Sequence, residues 1–255
     1  MSSLAQGFRR NDRRGAPQGA PLPMRVAMMT WQLNKDVSYC HLDGRVIFLD
    51  IDKDCYFQLS NTLERCFLDF AGGASTAETD LSALARHNIL SKGGSAPDRT
   101  PSATLPLPSR SVPETAGLEA HLSMSAIHDS FVSVATMHWR LKRRKLKYVL
   151  ENLCRYRRER LMALPASCNG TDTESRVVEA AATFNRIRPF VPITSRCLID
   201  SLSLVAFLAK RGLPASLVIA VACDPFSAHA WAQHGNIVLN DTVGNTWAYM
   251  PIRVI

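Results

Sequence analysis

The sequence predicts an α+β chain: a small winged-helix unit, then a larger unit in which helices pack on an antiparallel sheet. Three observations predict it. A tight hairpin, a third strand and two short helical stretches fill residues 24–90. A Pro- and Ser-rich interruption follows at 91–117. Beyond it, an apolar helix that opens at Cys197 runs into valine-rich, strand-like segments. A length of 255 residues suits two modest domains, and 46% apolar residues suffice for packed cores.

Residues 1–23 carry four Arg against one Asp among Gly, Pro, Ala and Gln, the composition of a disordered basic tail. Arg9-Arg10 and Arg13-Arg14 are followed by Pro and Gly, not by an apolar run, so no targeting segment is expected. In 24–90, Val37 to Leu42 and Arg45 to Asp50 flank Asp43-Gly44, a tight-hairpin signal. Cys55 to Leu59 reads as the third strand. Ser60 or Asn61 caps a helix through Leu63, Cys66, Phe67 and Phe70, which Gly72-Gly73 stops. Ser75-Thr76-Ala77-Glu78 resembles a capping box for a helix through Leu81 and Leu84 to Ile89-Leu90. Three strands followed by short helices is the winged-helix pattern.

Pro97, Pro101, Pro106, Pro108 and Pro113 make 91–117 a linker without packed structure. Residues 118–255 form the second domain. Its helical pattern starts near His121 and runs through Ile127, Phe131, Val134 and Leu141 to Leu153. A second helix spans Glu174 to Arg188, ended by Pro189. Strands are expected at Ser216–Cys223, His229–Gln233, Asn236–Asp241 and Thr246–Met250.

Composition narrows the function classes. Seven cysteines without paired spacing fit a reducing cytosol and a cytoplasmic protein. No run of 18 apolar residues exists, so no membrane span is expected. The charge of +8 is uneven: residues 24–90 are net −3, 121–170 net +7 and 171–255 net +1. A winged helix of net −3 lacks the cationic face that duplex DNA requires, so no nucleic-acid partner is expected. The basic cluster from Arg140 to Arg160 reads first as a solvated helix face, next as a contact for an acidic partner or a nucleotide phosphate, and last as one for nucleic acid. No Gly-rich phosphate loop accompanies it, so neither an ATP site nor another cofactor is expected. The spacing of Cys223, His229 and His234 matches no common zinc pattern, so no metal is expected either.

Three residues carry chemistry. Cys197 opens the helix through Val205; His229 lies in Pro225-Phe226-Ser227-Ala228-His229-Ala230-Trp231; Asp241 ends Ile237-Val238-Leu239-Asn240-Asp241. A free thiol is mostly protonated at neutral pH, and the thiolate is the nucleophile. Thr194 or Ser195 as N-cap puts Cys197 in the first helical turn, where unpaired N–H groups and the dipole favour negative charge. His229 then moves the proton and Asp241 orients the imidazole. Against this stands the bland reading that free Cys is often simply buried.

The stretch from Arg186 to Asp241 resembles the C-terminal domain of lasso peptide biosynthesis B proteins, the transglutaminase-like (papain-like) leader peptidases. Cys197-Leu198 with Ser201-Leu202, Arg211-Gly212-Leu213-Pro214-Ala215, the Pro225 to Trp231 block and Leu239-Asn240-Asp241 carry the likeness. Ala220-Val221 stands where the family usually has Gly-Val. The resemblance implies a cysteine peptidase with Cys197, His229 and Asp241 as catalytic triad, and an ATP-dependent, asparagine-synthetase-like lasso cyclase as partner.

Residues 24–90 resemble the PqqD-like precursor-recognition element through Val37-Ser38-Tyr39, Val46, Leu49-Asp50, Tyr56-Phe57, Leu59 and Asn61. That resemblance implies that the leader of a ribosomally made precursor pairs with the third strand and lies against the last helix. The peptide-facing positions would then be Cys55, Tyr56, Phe57 and Gln58, with Leu84 and His87 on the helix. A transamidase sharing the triad and a non-catalytic precursor chaperone are the alternatives.

Overall fold

The computed structural model describes residues 30–93, 105–115, 122–163 and 170–255; the basic tail at 1–23 and much of 91–117 lie outside them. The chain opens with β1 (Thr30–Leu33), then β2 (Val37–Leu42) and β3 (Arg45–Asp50) as an antiparallel hairpin. Asp43 and Gly44 turn it, with φ of 51° and 74°, the positive values that a two-residue hairpin loop of this kind requires. Strand β4 (Cys55–Phe57) adds to β3 and gives the order β2-β3-β4.

Helix α1 (Asn61–Ala71) starts after Ser60 and ends at Gly72, as expected. Helix α2 (Glu78–Arg86) is shorter than expected, and no side chain caps it. Asn88 takes φ 63°, a left-handed value that Asn tolerates at a helix end, and the chain leaves the helix there. Ile89-Leu90 therefore does not continue α2: β5 (Leu90–Gly93) pairs antiparallel with β1.

Within the stretch expected as linker, residues 105–115 run along the second unit, with only Ser111 and Val112 buried. Strand β6 (Arg110–Ser111) pairs in parallel with a strand of the second unit, and Val112 is buried. The long helical pattern splits into α3 (Met124–Arg143) and α4 (Leu146–Met162), because Arg144 is extended and Lys145 becomes a new N-cap. Helix α5 (Gly170–Ile187) ends in a 3-10 turn around Pro189.

Helix α6 (Cys197–Lys210) follows, then β7 (Ser216–Cys223), β8 (Phe226–His234) and β9 (Ile237–Val238). The strand expected to reach Asp241 thus stops at Val238. Thr246–Met250 is not a strand: Thr242 accepts a hydrogen bond from the Asn245 N–H and caps α7 (Val243–Trp247), before β10 (Met250–Val254). The sheet order is β10-β7-β8-β9-β6, antiparallel except for β6.

Helix α6 is the hub. Every residue from Ser201 to Ala209 is buried, with α3, α4 and α5 packed around it and β8 beside it. Apolar all round, it has no solvent face to pattern. Each fully buried side chain, such as Leu204 or Phe207, contributes about 1.5–3 kcal/mol of transfer free energy.

The β2-β3-β4 sheet is buried on both faces. Val37, Tyr39, Val46 and Phe48 meet α1 and α2 through Phe67, Phe70 and Leu84. Cys40, Ile47, Leu49 and Ile51, on the opposite face, join the core built around α6. Ion pairs extend this seam: Lys147 Nζ lies 2.6 Å from Asp36 and 3.9 Å from Asp52, and Lys145 Nζ 3.4 Å from Asp52. Part of the basic cluster therefore faces the acidic first unit and not an external partner.

Candidate active site

Cys197 is the first residue of α6. Arg196 before it is extended, with φ −144° and ψ 132°, and no side chain caps the helix. The expected caps do not serve; the Ser195 hydroxyl donates to Asp200 instead. His229 sits on β8 opposite Ala220 of β7, with its ring 4.9 Å from that of Tyr249. Its Nε2 hydrogen-bonds Asp241, and the ring faces the Cys197 thiol closely enough for each to shift the other's titration. The structure thus brings together the three residues singled out from the sequence.

Side chains continue where the β8–β9 ladder ends. The Ala232 N–H donates 2.8 Å to Asn240 Oδ1, and Asn240 Nδ2 donates 2.9 Å to Ser201 Oγ. Ser201 in turn shares its proton between the carbonyls of Cys197, at 2.7 Å, and Ala230, at 3.0 Å. This buried network fixes the helix carrying the thiol against the strand carrying the imidazole. It also turns the chain so that Asp241 falls beside His229.

Asp241 is held from several sides. The Thr242 N–H donates 2.7 Å to Oδ1, and Asn245 Nδ2 donates to both oxygens at 3.1 and 2.9 Å. Ser111 Oγ donates 2.8 Å to the Asp241 carbonyl, Glu114 accepts from the Val243 N–H at 2.9 Å, and Pro108 accepts from Trp247 Nε1 at 3.0 Å. Reading 91–117 as linker missed this cradle. Asn245 was missed as well, since nothing in the sequence marks an Asn one helical turn after the acid.

These contacts set the charge states. The His229 hydrogen bond is the main cause holding the Cys197 thiol below its usual range, aided by the imidazolium charge and by the Ala230 and Leu198 N–H groups; burial opposes them. Asp241 first, and then Cys197, push His229 up from 6.5 to about 9. Burial alone would raise Asp241, yet hydrogen bonds from His229, Thr242 and Asn245 hold it low. Each contact favours the charged form of its group, so the geometry favours a thiolate–imidazolium pair beside an ionised carboxylate.

The triad opens into a cleft of about 420 Å³ lined by Pro113, Arg188, Arg196, Asn240 and Asn245 among others. Among the described residues no cluster of His, Cys, Asp or Glu is arranged to hold a metal, and no helix is long and apolar enough to cross a membrane.

The positions expected to face a peptide are scattered. Leu84 is fully buried against Phe48 and Phe67 in the first unit's core, so it presents nothing to a ligand. Phe57 stacks on Phe48 at 5.2 Å on that same side. Tyr56 points to the other face, where its ring meets Phe226 of β8 edge-on at 5.6 Å. Cys55 is half-buried, while Gln58 and His87 are exposed.

Residues 132–254, from within α3 to the end of β10, match the family model of the transglutaminase-like superfamily. No curated protein and no solved structure matches the chain. The second unit is thus a transglutaminase-like domain, a type that typically performs cysteine-based chemistry.

Proposed function

We propose that the chain is a cysteine peptidase that cuts the leader from a ribosomally made precursor in lasso peptide maturation. The observation that carries the reading is the gathering of Cys197, His229 and Asp241 on one cleft, with His229 hydrogen-bonded to Asp241 and coupled to the thiol. Cys197 Sγ attacks the scissile carbonyl. His229 gives its proton to the departing core amine, leaving the leader as a thioester on the enzyme. Water, deprotonated by His229, then releases the leader carboxylate and restores the thiol. The Cys197 N–H, in the first turn of α6, is the natural first donor to the oxyanion. The freed core passes to an ATP-dependent, asparagine-synthetase-like cyclase that closes the ring.

Leader recognition belongs to the first, PqqD-like unit. Strand β4 is the last strand of its sheet, so one edge of Cys55–Phe57 is open to strand addition among the described residues. Tyr56, on that strand, reaches Phe226 three residues before His229 on β8; a leader captured along β4 would therefore lie close to the cleft. A captured leader raises the local concentration of the scissile bond, so the cleft itself needs little affinity.

The test is incubation of the full chain with synthetic leader–core peptides and a mass measurement of the products. A leader ending in a free carboxylate is expected, and Cys197→Ala should abolish it while changing peptide affinity by less than a few-fold. Leader joined to an added amine would identify a transamidase instead. Full cleavage by the Ala variant would remove Cys197 as the nucleophile.

A further inference from the structure

The charged groups that line the cleft are engaged, with one exception. Arg188 Nε lies 2.6 Å from Asp200, and its Nη2 donates 2.9 Å to the Ile193 carbonyl. Asp200 also accepts from Ser195. Asp241 is saturated by His229, Thr242 and Asn245, and His229 faces the thiol. Arg196 lines the same cleft and is exposed, and its guanidinium has no hydrogen-bond or ion-pair partner among the described residues. Its backbone caps α6, but its side chain takes no part in the cap. It immediately precedes the nucleophile.

A guanidinium holds its charge at any working pH, carries five donors in a planar fork, and matches a carboxylate bidentately. Left unpaired at the mouth of a cleft whose other charges are already matched, it has no structural duty that accounts for it. We infer that Arg196 is a specificity-determining residue that selects peptides bearing a carboxylate side chain close to the scissile bond. The inference rests on Cys197 being the nucleophile of the proposed peptidase. It goes further by naming the charge of the residue flanking the cut.

The nucleophile itself can read this out without a natural substrate. Iodoacetate and iodoacetamide differ by one carboxylate, and both alkylate a thiolate with loss of iodide. Their rates at Cys197 are measured at pH 7 on the full chain, by mass analysis of the peptide containing it. The His229 charge acts in every variant, so differences between variants isolate Arg196. R196Q should lower the iodoacetate-to-iodoacetamide rate ratio by about fivefold, the size of effect expected from one charge near a surface at low salt.

R196E should lower the ratio further, and 0.5 M NaCl should bring the wild type towards R196Q by screening (a Debye length of roughly 4 Å). The iodoacetamide rate, which reports a folded and activated site, should stay within about twofold throughout. An unchanged ratio in R196Q and R196E, or both rates falling together, overturns the inference while leaving the nucleophile in place. Slow alkylation of wild-type Cys197 by iodoacetamide overturns the nucleophile assignment, and the inference with it.

Discussion

Asp241→Asn tests the charge arrangement at its centre. The carboxylate is the largest single cause that lifts His229 from 6.5 to about 9, and the hydrogen-bonded thiol supplies most of the rest. That displacement corresponds to roughly 3 kcal/mol between the two imidazole states. Removing the carboxylate's charge should lower the His229 titration by about one to two pH units. The assay is NMR titration of the histidine Cε1–H signals, with His229 among seven histidines identified by its loss in His229→Gln.

The pH dependence of stability follows from the sign of the shift. A histidine raised in the folded state contributes stability that is complete below 6.5 and is lost as pH rises through about 9. The melting temperature of Asp241→Asn should therefore fall furthest below wild type near pH 6, by several degrees, and the gap should close above pH 9. Cleavage should fall by at least a hundredfold, because the amide cannot stabilise the imidazolium. A His229 signal that still titrates near 9 in the variant would refute Asp241 as the source of its charge.

Three further outcomes follow. Asn245→Ala removes donors to both Asp241 oxygens, so the carboxylate should titrate higher. Stability from a depressed carboxylate is present above its unfolded value of 3.8 and lost as pH falls through the folded one; in this variant acid unfolding should begin at higher pH. Leu84→Ala should cost about 2–5 kcal/mol in denaturant unfolding, as a cavity in the first unit's core, with leader affinity unchanged wherever the protein remains folded. Leu49→Ala should destabilise the chain by a similar amount and loosen the first unit from the second, seen as faster amide exchange along β2 and β10.

Local signals in the sequence located the elements that carry Cys197, His229 and Asp241, and longer-range pairing set what surrounds them. Cys197 opening an apolar helix, a histidine inside a strand and an acid after a short apolar run are each legible, because helix starts and strand runs are written in adjacent residues. The ends of those elements depended on partners elsewhere. The strand leading to Asp241 stops at Val238 because Asn240 turns its side chain into the ladder and towards Ser201. The Thr246–Met250 pattern is interrupted because Thr242 caps a helix first.

The first unit shows the same limit in its packing. Val46-Ile47-Phe48-Leu49 has no polar alternation, the pattern of a strand buried on both sides. A free-standing recognition domain would leave one of those faces wet. Here Ile47 and Leu49 join the core built on α6, and Lys147 matches Asp36 across the seam. Lys145 and Lys147, at the start of α4, meet the carboxylates of the acidic first unit across one interface. Part of the charge asymmetry visible in the sequence therefore reports how the chain packs on itself, and along the same seam Tyr56 meets Phe226 on the strand that carries His229.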